Sequence, residues 1–302
     1  MIGALLGVGM ALTVSNPMQT AGLIDTHLRS AKQNEHRPHA PVKRRIKSIG
    51  IKTSARGVFV ADIATGKVLY AKGAHVKLPI ASITKLVTAM TYLDTHPNLD
   101  ATITISAEDF VLNDTGEFLP GDTLTARDIL HAMLVGSVNA SSYALARTSI
   151  GTDAFVVAMN KKIKQLGLQT PIFYEPSGLD PRNSASAADV AAIMAFASYY
   201  PEIREACGMS DVHMHSLDAL HRDIIVKTTN ELLGSFLNKN PYSIIAAKTG
   251  TLPEAGNCMT QITKNSSGQQ IVVVILGSDS HASRFQDMKA VTQWTFDSWE
   301  WK

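Results

Sequence analysis

The sequence predicts an α+β fold: an antiparallel five-stranded sheet built from both chain ends, with helices on both faces and an inserted helical lobe. Three observations carry this. "GVFVADIATGKVLYA" (residues 57–71) gives two β-rich runs around a Thr65-Gly66 turn, hence a hairpin. Near residue 243 the texture returns to β. "YSIIAAKTGTL", "NCMTQITK" and "QQIVVVILG" read as three strands, the last two joined by the "NSSG" turn. The long middle between these ends reads mostly as helix, so it sits on the sheet as a second lobe.

The helices follow from periodicity and caps. In "LPIASITKLVTAM" (residues 78–90) Leu86, Val87, Met90 and then Leu93 recur at spacings of three and four, which makes one face core. Thr125 with Asp128, and Ser186 with Asp189, are spaced as capping-box starts of two more helices. "DAFVVAMNKKIKQLG" is amphipathic and ends at Gly167. "SRFQDMKAVTQWTFDSW" closes the chain as a helix.

With 302 residues, 45% hydrophobic and 18% charged, the chain can bury a full core, and disorder throughout is excluded. The net charge of +2 hides an asymmetry. Residues 23–48 hold seven of the 28 Lys and Arg but two of the 26 Asp and Glu, which leaves 21 basic against 24 acidic residues elsewhere. No basic stripe with interleaved aromatics follows, so nucleic acid is not an expected partner. Residues 1–22 are read as a signal-peptide-like apolar segment and residues 23–49 as a basic disordered linker. The segment lacks a basic n-region and a clean cleavage site, yet export to the periplasm or extracytoplasmic envelope is the expectation. Weak membrane association through the N-terminus accompanies it. Cys207 and Cys258 permit a disulfide but do not imply one; two separate small buried residues account for them as well.

One helix raises a chemical question. Lys85 lies one turn after Ser82 on an otherwise apolar helix, with no acid nearby in sequence. Residues i and i+3 share a helix face with Cβ atoms about 5–6 Å apart, so amine and hydroxyl are within reach. Burial disfavours the charged amine, and a neutral amine beside a hydroxyl is a general base beside a nucleophile. Pro79 fits a helix that begins close to Ser82, whose N–H is then an unsatisfied end donor. Alone, S-x-x-K is weak, because a snorkelling lysine leaves the same pattern. Two further stretches add weight. "LVGSVNASS" holds Ser137 and Asn139 after a helix, with Gly136 allowing a tight bend. "IIAAKTGTL" holds Lys248, Thr249 and Gly250 at the end of an apolar strand, where glycine permits close approach of a ligand. The order S-x-x-K, S-x-N, K-T-G is the motif set of β-lactamases and penicillin-binding proteins.

On these residues, and on "VADIATGKVLYAKGAHVKLPIASITKLVTAM", "EPSGLDPRNSASAADVA" and "AAKTGTLPEAGNC", the chain resembles the low-molecular-weight penicillin-binding proteins, the D-alanyl-D-alanine carboxypeptidase and endopeptidase group of serine peptidases. The likeness covers roughly residues 55–302 and implies that residues 50–302 form a DD-peptidase catalytic domain. Its implied partners are peptidoglycan peptides, with β-lactam antibiotics as covalent inhibitors. By the resemblance Ser82 attacks the D-Ala–D-Xaa carbonyl, Lys85 takes the proton, and Ser137 relays it to the leaving amine. Asn139 hydrogen-bonds the substrate amide. Lys248 and Thr249, followed by Gly250, meet the substrate's terminal carboxylate, and Arg284 helps hold it. The backbone N–H groups of Ser82 and Thr251 form the oxyanion hole.

Two alternatives share the motifs. A serine β-lactamase deacylates through a glutamate-bearing loop; "FYEPSGLDPRNSAS" holds Glu175 without the E-x-x-L-N context, so Glu175 is read as a loop residue. A non-catalytic sensor of β-lactams or wall peptides would be expected to have lost a motif, and all three are intact. "DVHMHSLDALHRD" offers His213, His215 and His221, but their spacing fits no zinc pattern, and a polar loop or strand edge is the reading. No G-x-S-x-G elbow occurs, against an α/β-hydrolase. Neither cofactor nor metal is expected. The residues do not separate carboxypeptidase from endopeptidase, although "WEWK", soon after the last helix, tilts toward a soluble exported enzyme and toward the latter.

Overall fold

A computed structural model describes residues 39–44, 50–111, 116–218 and 221–302. Both chain ends feed one five-stranded antiparallel sheet. β1 (Gly57–Asp62) and β2 (Val68–Lys72) are the expected hairpin, turned where the Asp62 carboxylate accepts from Thr65 N (2.9 Å) and Oγ1 (2.6 Å). The middle of the chain holds a separate hairpin, β3 (Asp211–His215) with β4 (Asp223–Lys227). β5 (Tyr242–Leu252), β6 (Gly256–Asn265) and β7 (Gln270–Ser278) complete the sheet in the order β5-β6-β7-β1-β2. The two chain ends join at β7–β1, with Val273 opposite Val60.

β7 lies between two cores. Val272, Val274 and Leu276 belong to the cluster shared with the helical lobe, whereas Ile271, Val273 and Ile275 belong to the one beneath the last helix. A strand covered on both faces has no need of polar alternation, which is why "IVVVIL" is apolar throughout.

The described residues form seven α-helices: α1 (Lys85–Leu93), α2 (Ala126–Val135), α3 (Asn139–Ile150), α4 (Thr152–Gln165), α5 (Ala187–Ala197), α6 (Pro201–Ala206) and α7 (His281–Ser298). α7 covers one face of β6 and β7; α5 covers the other. α1 is buried from Lys85 to Tyr92 and packs among α3, α4 and α5, the position an apolar helix requires. Both predicted starts form. Asp128 N donates to Thr125 Oγ1 (3.1 Å), and Ser186 and Asp189 bond reciprocally, N to Oγ at 3.2 Å and N to carboxylate at 3.0 Å.

One expectation needs correction. Ordered structure begins before Gly50: Val42 and Lys43 pair with Glu300 and Trp299 beyond α7. A two-residue strand leaves no periodicity to read. Residues 1–38 and 45–49, the rest of the apolar segment and linker, lie outside the described residues. The middle is mostly helical as read, and the histidine-bearing stretch is a strand of a hairpin. In β3–β4 the inward Val212, Met214, Ile224 and Val226 are buried while His213 and His215 face out. His215 Nδ1 lies 2.8 Å from Asp223 Oδ1, and its ring stacks on His221. Cys207 and Cys258 are buried free thiols. Among the described residues no helix is long and apolar enough to cross a membrane.

Candidate active site

Leu78–Pro79 pairs with Ser184–Ala185 and delivers the chain into a 3₁₀ turn, Ala81–Thr84, which runs straight into α1. Ala81 enters it at φ +48°, uncommon for a residue with a Cβ. In a 3₁₀ turn residues i and i+3 eclipse. Lys85 Nζ accordingly lies 3.0 Å from Ser82 Oγ. Lys85 is fully buried, and Nζ also donates to Asn139 Oδ1 (2.7 Å), at the start of α3, and to the Ser177 carbonyl (2.6 Å), in the loop before α5. These three partners are uncharged.

The bend before α3 is made differently from the expectation. Gly136 sits at φ −89°, open to any residue, and it is Ser137 that takes φ +65°. Gly136 is needed for space, since a Cβ there would lie 2.1 Å from Val226 Cγ1 of β4. The Ser137 hydroxyl accepts from Lys248 Nζ at 2.8 Å.

Lys248, Thr249 and Gly250 lie on β5, the sheet edge that flanks the 3₁₀ turn. Gly250 is the point of closest approach: a Cβ there would lie 2.9 Å from both Ile80 O and Ser82 N. Lys248 is 1% exposed, and burial, assisted by the nearby Arg284 charge, pulls its amine down to about 7. A Cys207 thiolate would oppose this. Burial also pushes that thiol up to about 12. Thr249 Oγ1 is 2.6 Å from Thr229 Oγ1. Arg284, in the first turn of α7 and 2% exposed, donates from Nη1 to Thr251 Oγ1 (3.0 Å) and Gly250 O (3.3 Å). Its Nη2 meets His281 Nδ1 at 3.1 Å, and His281 Nε2 lies 2.7 Å from Glu231 Oε1. Burial lowers the proton affinity of Arg284.

Ser82, Lys85, Ser137, Asn139, Lys248, Thr249, Gly250, Thr251 and Arg284 are thus gathered from four separate stretches into one site. Sequence reasoning missed Thr229, the Ser177 carbonyl, Glu231 and His281. Chemically the arrangement pairs a hydroxyl with an amine and surrounds them with two more basic side chains, all three basic groups nearly solvent-free. Such a site suits a ligand with a carbonyl to attack and an anionic end to hold.

The family model described as D-alanyl-D-alanine carboxypeptidase matches residues 42–280. The chain is 30% identical over 245 residues to a D-alanyl-D-alanine endopeptidase of Pseudomonas aeruginosa, covering 78% of this chain and 75% of that one. It is 30% identical over 234 residues to a D-alanyl-D-alanine endopeptidase of Haemophilus influenzae, covering 76% and 78%. Among solved structures it is similar to a Streptomyces DD-transpeptidase, with a TM-score of 0.76 and 26% identity over 83% of this chain and 100% of that one. A penicillin-binding protein of Listeria monocytogenes with cefotaxime bound gives a TM-score of 0.69 and 25% identity over 82% and 100%. With the family match spanning most of the chain and the three motifs converging on one hydroxyl, the chain belongs to the D-alanyl-D-alanine carboxypeptidase family of serine peptidases.

Proposed function

We propose that this serine DD-peptidase works through an acyl-enzyme on Ser82, and that its physiological reaction is endopeptidic, at D-alanyl cross-links of peptidoglycan. Ser82 Oγ adds to the carbonyl as Lys85, 3.0 Å away, accepts its proton. Negative charge collects on the carbonyl oxygen, where the N–H groups of Ser82 and Thr251 donate. The C–N bond then breaks, Ser137 passes the proton to the departing amine, and water later hydrolyses the ester. In a β-lactam the amine stays tethered to the acyl group, so the adduct lingers. Lys248, Thr249 and Arg284 take the substrate's carboxylate, an anion that offsets the unfavourable burial of their charge. Asn139 holds Lys85 as well as the substrate amide. The observation that carries the reading is the Ser82–Lys85–Asn139 chain of hydrogen bonds beside the bond from buried Lys248 to Ser137.

The endopeptidase choice draws support from the relatives of that name in Pseudomonas, Haemophilus and Escherichia coli, matched over 75%, 78% and 75% of their length. A β-lactamase would need a carboxylate turned to the deacylating water, whereas Glu175 accepts from the N–H groups of Ser177 and Gly178 in its own loop. The substrate sets the location in the bacterial cell envelope, and in the periplasm on this reading, with weak membrane association through the N-terminus.

Intact mass followed over time with benzylpenicillin tests the acyl-enzyme. A stable adduct is expected, absent from Ser82→Ala; a transient adduct with steady drug loss would mean a lactamase, and no adduct a binding module. Cross-linked muropeptide dimers should be cut to monomers faster than pentapeptides lose D-alanine, and the reverse would make it a carboxypeptidase.

A further inference from the structure

Glu175 is a loop residue, and the loop is built on it. Its Oε1 accepts from Gly178 N (2.5 Å), Asn183 Nδ2 (2.8 Å) and Asp180 N (3.3 Å). Its Oε2 accepts from Ser177 Oγ (2.5 Å), Ser177 N (2.7 Å) and Tyr143 OH (3.0 Å), the last reaching across from α3. Burial and the Glu175 charge raise the Tyr143 hydroxyl well above the usual phenol range, so it remains a donor. Six donors converge on one carboxylate, charge-assisted bonds of the stronger kind.

The geometry of the Ser177–Gly178 peptide gives this a consequence. In a planar trans peptide the N–H and the C=O point in opposite directions. Gly178 N–H is pinned to Glu175, so the Ser177 carbonyl is aimed the other way, and there it meets Lys85 Nζ at 2.6 Å. The same peptide abuts the nucleophile turn. Gly178 has φ +90°, and a Cβ on it would lie 2.1 Å from Ala81 O and 2.8 Å from Ser82 N.

We infer that Glu175 is a positioning residue for acylation, holding Lys85 and the Ser82 turn in place through the Ser177–Gly178 peptide. This rests on the acyl-enzyme reading given above. Glu175→Gln puts an amide N–H₂ among donors, so the peptide plane turns and Lys85 loses the carbonyl. Lys85 then holds its charged form less well, and the acid limb of the pH–acylation profile moves to lower pH.

The experiment measures second-order acylation by a fluorescent penicillin from pH 5 to pH 10, alongside thermal melting, for the parent and Glu175→Gln. Expected is a loss of about 10- to 100-fold at pH 7, the scale of a small misplacement of reacting groups, with the limb displaced and the adduct still on Ser82. Acylation within twofold of the parent overturns the inference. So does a lower rate with an unmoved limb, which would mean a loop merely loosened. If Glu175→Gln does not fold, Tyr143→Phe decides: removing one donor should slow acylation about two- to tenfold and move the limb the same way, and an unchanged rate and limb overturn the inference. An adduct that persists in Ser82→Ala sinks the acyl-enzyme reading instead, a result that no Glu175 variant can produce.

Discussion

Lys248 should make acylation fade as pH rises, and only for ligands that carry a carboxylate. Its amine is pulled down to about 7 by burial, so it changes charge within the working range of an enzyme. From pH 6 to pH 8 the charged fraction in the free enzyme falls from about 90% to about 10%, and above that by about tenfold per unit. A hydrogen bond to a charged partner is worth about 1.5–3 kcal/mol, so losing the ammonium should weaken carboxylate recognition by about 10- to 150-fold before the effect levels off. Arg284 remains charged throughout, which is why a floor is reached. The assay is stopped-flow acylation between pH 6 and pH 9 with benzylpenicillin and with its methyl ester. Both acylate the same serine through the same general base, so the ratio of their rate constants removes Lys85 from the comparison. That ratio should start to fall near pH 7 and then level off. A ratio that stays flat across the range refutes the role given to Lys248.

Three other outcomes are expected. The burial of Lys248 costs stability at low pH. Below about 7 folded and unfolded chains are both protonated and the cost is complete; between about 7 and 10.5 the unfolded chain binds the extra proton, so unfolding free energy rises with pH, by roughly 5 kcal/mol at most. Denaturant melts of Lys248→Met at pH 6.5 and 9.5 should lack that rise, and a slope equal to the parent's would contradict it. Lys85→Ala should slow adduct formation by about 10²- to 10⁴-fold, the usual worth of a general base; a near-parental rate removes Lys85 from the chemistry. Gly250→Ala places a Cβ 2.9 Å from two backbone atoms of the nucleophile turn, so strand or turn must shift. Acylation should fall about tenfold or more with a modest change in melting temperature, and an unaffected rate would show that the turn tolerates displacement.

The parts of the site that the sequence displayed are those held by short-range geometry. Ser82 and Lys85 are one turn apart, and Lys248, Thr249 and Gly250 are consecutive on a strand whose apolar run was plain. The sheet was legible for a related reason: the first two strands flank a close turn, and "IVVVIL" is an unbroken apolar run. Thr229 and His281 were not legible because their partners lie 20 and 50 residues away, at loop and helix-end positions that follow no period. The Ser177 carbonyl was invisible in principle, because every residue has one. Ser137 misled in a different way. Gly136 beside it advertised the bend, yet the left-handed conformation fell on the serine and the glycine served to clear Val226. The β3–β4 hairpin was harder to read: "DVHMH" alternates as a strand should over only five residues, and in "DIIVK" the exposed Ile225 breaks the pattern.

The pairing of Val42–Lys43 with Trp299–Glu300 has a mechanical side. α7, eighteen residues and about 27 Å long, carries Arg284 in its first turn and ends at Ser298, where that pairing begins. A pull transmitted through Val42 would therefore be borne by two short strands and the far end of a long rod, and not by the turn that holds Ser82. The fold separates the point of traction from the point of reaction, so an enzyme hauled from that end would keep its cleft in working order.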